Sequence, residues 1–415
     1  MRSLILDCRR LLSERGEANS VAISQSLVAR FNAMPEDQQG NFFQRLSSNF
    51  GPVPERVLAC AQVYASEPSA ANLQQLIRQV EPPRQELLRR INRSPGGTSS
   101  IVAMRQTLLQ RLDKRPDLQA VEADFLHLLS SWFNPGFLQL ARVDWNSPAR
   151  LLEKIIQHEA VHEIDGWDDL RRRLQPDRRC FAFFHPQLPQ EPLIFVEVAL
   201  LAELPHAIGP LIGKGSNATQ GDDFNVAAFY SISNCQPGLR GVSLGNFLIK
   251  RVAEELQREL PQLRTFCTLS PMPGFARWVR GGAQCAGLSK TRQDRLQAAH
   301  QTLFAECAGE LDGLSSIAAL RALSPKALQA LQRLGANYLV GHSPTSCGDP
   351  VARFHLDNGA RLERLNGLGD LSPKGIRQSF GLMVNYLYDL KKVETHHEKF
   401  TRGEVAHSRA IAALL

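Results

Sequence analysis

The spacing of apolar residues changes near residue 165, and this change constrains the fold more than any other feature of the chain. Up to that point apolar side chains recur every three or four residues, as in 20–31 and 118–129, which is the spacing of helices. Glycine and proline pairs such as Gly51-Pro52 and Pro82-Pro83 divide the region into helices of ordinary length. Residues 1–165 are therefore predicted to form a helical bundle with an aliphatic core, serving as a scaffold or an oligomerisation surface.

Beyond residue 165 the sequence contains short runs of β-branched and aromatic residues separated by proline and glycine, which predicts strands. A long amphipathic helix is predicted over 244–260, and residues 286–340 return to helical spacing. The order of strand, strand, glycine-rich turn, helix and strand indicates an α/β domain, in which ligands lie where strands end and a helix begins. The predicted strands are 180–184, 193–200, 225–233, 264–269, 354–365 and 382–388.

Charge and cysteine content exclude several classes of protein. The net charge is +7, but the 48 basic residues are interleaved with 41 acidic ones, so a pocket for a small anion explains the balance as well as nucleic acid does. The eight cysteines form no C-x-x-C pair, so neither a disulfide framework nor a zinc module is indicated. No signal-length or membrane-length apolar run occurs, and a cytoplasmic protein that binds neither membrane nor nucleic acid is expected.

A glycine-rich turn precedes the predicted helix at 244–260. Glycines there let the backbone approach a ligand, and the free N–H groups of the helix start favour an anion such as pyrophosphate. A tight connection without any ligand is the competing interpretation. The candidate binding residues are Arg240, Gly241, Val242, Ser243, Leu244, Gly245 and Asn246.

Four polar residues of the second region are candidates for chemistry. Ser270 ends a predicted strand directly before Pro271, and His355 lies in the predicted strand 354–365. Imidazole carries protons near neutral pH, and a hydroxyl orients or stabilises an anion. Tyr388 and Asn385 are further donors that would close a pocket. The alternatives are a turn serine, a structural histidine, a buried tyrosine and a turn asparagine.

Two other motifs have structural interpretations. His158-Glu159-Ala160-Val161-His162 satisfies the H-E-x-x-H pattern of zinc proteases, but 164–167 ends the predicted helix at once and no third histidine of the metzincin type follows. The pair is therefore interpreted as a helix end without metal. The basic run 171–173 is interpreted as a solvent-facing helix end and not as a grip on a phosphate.

Two resemblances give these residues a context. Arg240–Ile249, R-G-V-S-L-G-N-F-L-I, resembles the pyrophosphate loop of GNAT-type acetyltransferases, R-G-x-G-I-G-x-x-L-L, with Ser243 in place of one glycine. Nearly the whole chain also resembles the malonyl-CoA decarboxylase family. The stretches that carry this second resemblance are 8–16 (CRRLLSERG), 131–134 (SWFN), 159–162 (EAVH), 229–233 (FYSIS), 269–275 (LSPMPGF), 349–360 (DPVARFHLDNGA) and 385–388 (NYLY).

The family resemblance implies an α+β multidomain protein. An N-terminal all-α helical bundle for oligomerisation, residues 1–165, would precede a GNAT-like α/β, acyl-CoA-binding catalytic domain, residues 166–415. The resemblance also implies a homo-oligomer such as a tetramer, with Ser270 and His355 in the active site.

The implied reaction converts malonyl-CoA to acetyl-CoA and CO2. No metal or organic cofactor is expected, because the thioester itself accepts the electrons that the departing carboxylate leaves. Two alternatives stay open: a GNAT-type N-acyltransferase, which needs an amine acceptor, and a non-catalytic acyl-CoA sensor.

Overall fold

The computed structural model describes residues 1–13, 19–213, 223–244, 248–285, 287–345 and 348–415. Two compact units divide the chain. The first contains 1–139, 184–193 and 236–244, and the second contains 140–183, 194–235 and 245–415. The units therefore divide near residue 139 and not at the predicted 165, because the strand Gln139–Val143 belongs to the sheet of the second unit. No helix in the described residues is long and apolar enough to cross a membrane.

The first unit is helical, as the apolar spacing predicts. Its core contains a cluster of phenylalanines, in which Phe31 packs edge to face on Phe42 and Phe43, and Phe43 packs on Phe125. The main helices are α1 (Arg2–Leu12), α2 (Ser20–Asn32), α3 (Glu36–Asn49), α4 (Pro54–Ser66), α5 (Ala70–Val80), α6 (Pro83–Asn92), α7 (Gly97–Leu109) and α8 (Gln119–Trp132).

Helices α4 and α5 form a helical hairpin that differs from the rest of this unit. They pack on each other, yet neither contains a buried residue. Leu58 and Ile77 are 60% and 56% exposed, and Val63 is 51% exposed. Exposed apolar side chains on two adjacent helices are a feature typical of surfaces that contact another molecule.

The second unit is built on one sheet, to which eight strands contribute in the described residues. Strand β3 pairs antiparallel with β2 and β4, while β4 and β5 are parallel. Strand β8 pairs antiparallel with β5, β6 and β7. The strands are β1 (Gln139–Val143), β2 (Arg178–Phe184), β3 (Ile194–Leu201), β4 (Val226–Asn234), β5 (Thr265–Thr268), β6 (Ser270–Pro271), β7 (Arg361–Asn366) and β8 (Met383–Tyr388).

The parallel pair at the centre of this sheet separates partway along its length. Pairing of β4 with β5 ends at Phe229 and Thr268, while β4 continues to Asn234. The chain after Thr268 pairs instead with β8, where Ser270 lies opposite Val384. The separation opens a cleft in the sheet, and a mixed sheet with helices packed on it agrees with the predicted α/β domain.

Helices pack around this sheet. They include the helix predicted after the glycine-rich turn and the helices predicted in the region 286–340. The helices are α9 (Ala149–His158), α10 (Gly166–Arg173), α11 (Gly209–Ile212), α12 (Leu248–Glu259), α13 (Phe275–Arg280), α14 (Lys290–Glu306), α15 (Ile317–Ala322), α16 (Pro325–Asn337), α17 (Pro350–Asp357), α18 (Pro373–Ser379), α19 (Val393–Thr401) and α20 (Arg409–Ala412).

The predicted strand 354–365 is wrong in its first half. His355 lies in helix α17, and the strand β7 begins only at Arg361. Asp349 accepts hydrogen bonds from the first turn of α17 and Pro350 occupies the first helical position, which is a standard helix start. Gly359, at φ +78°, ends the helix. These start and stop signals outweigh the local alternation of apolar residues.

Candidate active site

Ser270 and His355 lie side by side in the second unit, although they are far apart in the sequence. The Oγ atom of Ser270 is 3.0 Å from Nε2 of His355. On the other side of the ring, Nδ1 of His355 is 2.9 Å from the hydroxyl of Tyr388. All three side chains are buried. The imidazole is therefore held between two hydroxyl groups, which is an arrangement suited to moving a proton.

Ser270 is oriented by a second hydroxyl on the same face of the sheet. Its hydroxyl donates to Oγ1 of Thr268 at 2.8 Å, and Thr268 Oγ1 also accepts the N–H of Tyr386 at 3.2 Å. Side chains two residues apart on extended chain point to the same side, so Thr268 and Ser270 face His355 together. Pro271 follows directly and restricts the backbone of Ser270 to extended conformations.

The ring of His355 is fixed by aromatic neighbours as well as by hydrogen bonds. Tyr386 stacks on the imidazole with ring centroids 4.6 Å apart and an interplanar angle of 28°. Tyr386 and Tyr388 lie two residues apart on β8, so their side chains point to the same side of the sheet. Tyr386 stacks on the imidazole, and the Tyr388 hydroxyl forms a hydrogen bond with its Nδ1 atom. The side chain has little freedom to rotate away from Ser270.

Burial sets the protonation states of these groups. Removal from water disfavours imidazolium and lowers the pKa of His355 from 6.5 to about 3. The same cause raises the pKa of Tyr388 well above its ordinary value of 10. In the free site the imidazole is neutral and the phenol keeps its proton. One ring nitrogen then donates a hydrogen bond and the other accepts one.

A cavity of about 300 Å³ opens beside this pair. Among the described residues that line it there is neither lysine nor arginine, and most lining side chains are apolar. A carboxylate bound here would lose water without gaining a cationic partner. The lining residues are Val161, Ile194, Phe229, Tyr230, Ser231, Ile232, Asn234, Ser270, Pro271, Pro350, Val351, Phe354 and His355.

Asn385 has a different place from the one expected. Its amide donates to the carbonyls of Thr268 and Pro205, at 2.8 and 3.1 Å, and its Oδ1 accepts from Arg364 and Asn366. Asn385 is fully buried in β8, not in a turn, and is absent from the cavity lining. All its hydrogen-bonding capacity is used by neighbouring strands and by the loop at Pro205, so it supports the end of β5 and offers no donor to a ligand in this structure.

The glycine-rich turn belongs to the first compact unit, where Arg105 holds it. Arg105 donates to the carbonyls of Gly238 and Arg240, both at 2.7 Å. Gly241 has φ +81°, a conformation that favours glycine. Arg240 and Ser243 are exposed, whereas Val242 and Leu244 are buried. Gly245 and Asn246 lie outside the described residues, so binding of an anion by this turn stays a prediction.

The H-E-x-x-H segment does not have the geometry of a zinc site. Helix α9 ends at His158, so the two histidines do not share a helical face. The Glu159 carboxylate accepts hydrogen bonds from His162 N–H and Ser231 Oγ, at 2.8 and 2.6 Å. Within the described residues no group of three or more histidine, cysteine or acidic side chains is arranged to hold a metal. The segment ends a helix, as predicted.

The solvent exposure predicted for the basic run 171–173 is wrong for two of its members. Arg172 pairs with Asp177 at 2.9 Å, and Arg173 pairs with Glu197 at 2.7 Å, all of them buried. A run of basic residues does not reveal acidic partners that lie further along the chain. Such partners decide whether an arginine is solvated or buried.

Thr268 and Tyr386 are site residues that the sequence analysis missed. Each lies two positions before a residue that was selected, Thr268 before Ser270 and Tyr386 before Tyr388. Side chains two residues apart on an extended chain point to the same side, and this rule identifies both residues as neighbours of the predicted site.

The fold and the cavity together define a class of protein, one with an α/β domain that carries a buried serine, histidine and tyrosine beside an apolar cavity. Comparison with known families narrows this class. A model of the malonyl-CoA decarboxylase C-terminal domain matches residues 136–415, and a model of the malonyl-CoA decarboxylase N-terminal domain matches residues 50–133. The two matches meet close to the boundary between the compact units.

Individual relatives agree. The mitochondrial malonyl-CoA decarboxylase of Rattus norvegicus is 38% identical over 406 residues, which cover 92% of this chain and 82% of that protein. Crystal structures of malonyl-CoA decarboxylases from Rhodopseudomonas palustris and Agrobacterium vitis are each 46% identical and cover 99% of both chains, with TM-scores of 0.87 and 0.86. The chain belongs to the malonyl-CoA decarboxylase family and is a carboxy-lyase.

Proposed function

We propose that this protein converts malonyl-CoA to acetyl-CoA and CO2, with Ser270 and His355 as its catalytic residues. The observation that carries the proposal is the 3.0 Å contact between Ser270 Oγ and His355 Nε2 at the wall of the apolar cavity. Membership of the malonyl-CoA decarboxylase family supports the substrate.

In the first step the bond between the carboxylate carbon and the α-carbon breaks. Its electron pair enters the thioester and forms an enolate, and CO2 leaves as a neutral molecule. The apolar lining supports this step, because an anion without water and without a cationic partner is destabilised relative to neutral CO2. Since the thioester accepts the electrons, the proposed reaction uses no metal and no organic cofactor.

Ser270 supplies a hydroxyl donor for the negative charge of the substrate. That charge lies on the carboxylate before CO2 leaves and on the thioester oxygen afterwards. In the free site the proton of this hydroxyl is donated to Thr268, so the hydroxyl turns its proton toward the substrate when the substrate binds. A hydroxyl donor in a site with little water stabilises developing charge more than the same donor in solution.

In the second step the enolate carbon takes a proton from His355. The free imidazole is neutral, because burial lowers its pKa to about 3. The enolate formed in the first step places a negative charge beside the ring, which raises that pKa and favours uptake of one proton from solvent. Imidazolium then protonates the α-carbon and returns to the neutral form. Overall, one malonyl-CoA anion and one proton are converted to acetyl-CoA and CO2.

The experiment that tests this function measures CO2 release from malonyl-CoA alone, with a chelator present. We expect turnover to acetyl-CoA without any acceptor and without an effect of the chelator. An N-acyltransferase would turn over only after an amine is added, and an acyl-CoA sensor would bind malonyl-CoA without turnover. Either result would contradict the proposal.

We also infer that copies of this chain associate through the helical hairpin of α4 and α5. The support is its apolar surface, on which Leu58 and Ile77 are more than half exposed. The family resemblance implies a homo-oligomer such as a tetramer. The cytoplasmic location expected from the sequence stays a prediction, since the Rattus norvegicus relative is named as mitochondrial.

A further inference from the structure

The two reacting side chains lie on separate pieces of the chain, and each piece is short. Ser270 belongs to β6, a strand of two residues, and His355 belongs to α17, a helix of eight residues. Small errors in the relative position of reacting groups cost large factors in rate, so some contact must fix the distance between the two pieces.

The buried carboxylate of Asp349 joins these two pieces. Its Oδ1 accepts the N–H groups of Val351 and Ala352 at 3.0 and 3.1 Å, which caps the helix that carries His355. Its Oδ2 accepts the N–H of Gly274 at 3.2 Å, in the turn that follows Ser270. The two oxygens of one planar group therefore fix the start of α17 against that turn.

Tyr338 completes the arrangement from a third segment. Its hydroxyl donates to Asp349 Oδ2 at 3.0 Å, and its ring packs edge to face on Phe275 with centroids 5.5 Å apart. Tyr338 begins a single π-helical turn, a local irregularity that is frequent near functional sites. A Cβ atom on Gly274 would overlap the Tyr338 hydroxyl. Glycine at that position is therefore what allows the tyrosine to reach the carboxylate.

We propose that Asp349 is a positioning residue, which sets the distance between Ser270 and His355 by joining α17 to the turn after β6. Asp349 is only 1% exposed and is absent from the cavity lining, so it acts through these two residues and not on the substrate. The inference rests on the proposed function, because it assigns a role within that catalytic pair.

Two roles of Asp349, capping helix α17 and joining that helix to the turn after β6, can be tested separately with variants. Asp349→Ser keeps a hydroxyl that can cap α17 but removes the acceptor for Gly274 and Tyr338. We expect kcat to fall about 100-fold, the loss typical of a small misplacement, with KM nearly unchanged. Tyr338→Phe, which removes one of the four hydrogen bonds, should lower kcat by a smaller factor. Ser324→Ala, which removes the cap of α16, is the matched control and should leave kcat unchanged.

A second readout does not depend on activity. The crystal structure of Asp349→Ser should show Ser270 Oγ beyond hydrogen-bonding distance of His355 Nε2. An unchanged contact together with a wild-type kcat in Asp349→Ser would overturn the proposal. If Asp349→Ser does not fold, a wild-type kcat in Tyr338→Phe would overturn it. His355→Ala is assayed in parallel. Full activity of His355→Ala would contradict the proposed catalytic function itself. An inactive His355→Ala together with a fully active Asp349→Ser would contradict only the positioning role of Asp349.

Discussion

The protonation state of His355 depends on its surroundings more than on its own chemistry. Burial lowers the pKa of the ring to about 3, while Ser270 and Tyr388 satisfy both ring nitrogens in the neutral form. A histidine of this kind is a poor acid until an anion lies beside it. The site therefore gains its proton only in the bound complex, once the enolate has formed, which restricts proton transfer to that complex.

The same shift predicts how stability depends on pH. The unfolded chain takes up a proton on this histidine below about pH 6.5, whereas the folded protein does so only near pH 3. The contribution of His355 to the free energy of unfolding is complete above 6.5 and is lost as the pH falls toward 3. His355→Asn, which does not titrate, should therefore lose less stability between about pH 7 and 4.5 in urea titrations. Equal losses in the two proteins would contradict this account.

Most elements follow from the sequence, and the exceptions have local causes. The strands β2, β3, β4, β5 and β8 and the helix after the glycine-rich turn are confirmed within a few residues. Alternation of apolar residues was a poor guide at 354–365, because the Asp349-Pro350 start and the Gly359 end define a helix there. Strand β1 was missed because its side chains are mostly exposed and show no apolar pattern.

The candidate site was predictable only in part. Ser270, His355 and Tyr388 were selected and the structure brings them together, whereas the amide of Asn385 is used entirely by backbone and side-chain partners. Contacts between distant segments, such as those of Asp349, leave no local pattern in the sequence. They follow only from the fold.

The end of helix α17 gives a prediction at the scale of elements. Gly359 and Gly403 both have positive φ, at +78° and +82°, but a Cβ atom on Gly359 would overlap the backbone of Val393, whereas Gly403 has open space. Gly359→Ala should lower the free energy of unfolding by roughly 3 kcal/mol or more, and Gly403→Ala by about 1–2 kcal/mol. Chemical denaturation measures both. Equal losses of stability in the two variants would show that the close approach of Gly359 to Val393 does not add to the cost of the substitution.

At the scale of the whole molecule, the exposed hairpin predicts self-association. Replacing Leu58 and Ile77 by glutamate places charge on the apolar surface, so the double variant should have a lower molecular mass than the wild type in size-exclusion chromatography with light scattering. Gln62→Glu adds charge to the same helix without removing an apolar group and serves as the control. A wild-type protein that is already monomeric would contradict the inferred interface.

The central claim is that the pair formed by Ser270 and His355 performs the decarboxylation. The most direct test is the rate of CO2 release by His355→Ala at saturating malonyl-CoA, with acetyl-CoA affinity measured on the same preparation. His300→Ala, which changes a histidine outside the cavity lining, is the control. We predict that kcat falls by about 100- to 10,000-fold in His355→Ala while acetyl-CoA still binds. A kcat near that of the wild type would contradict the account.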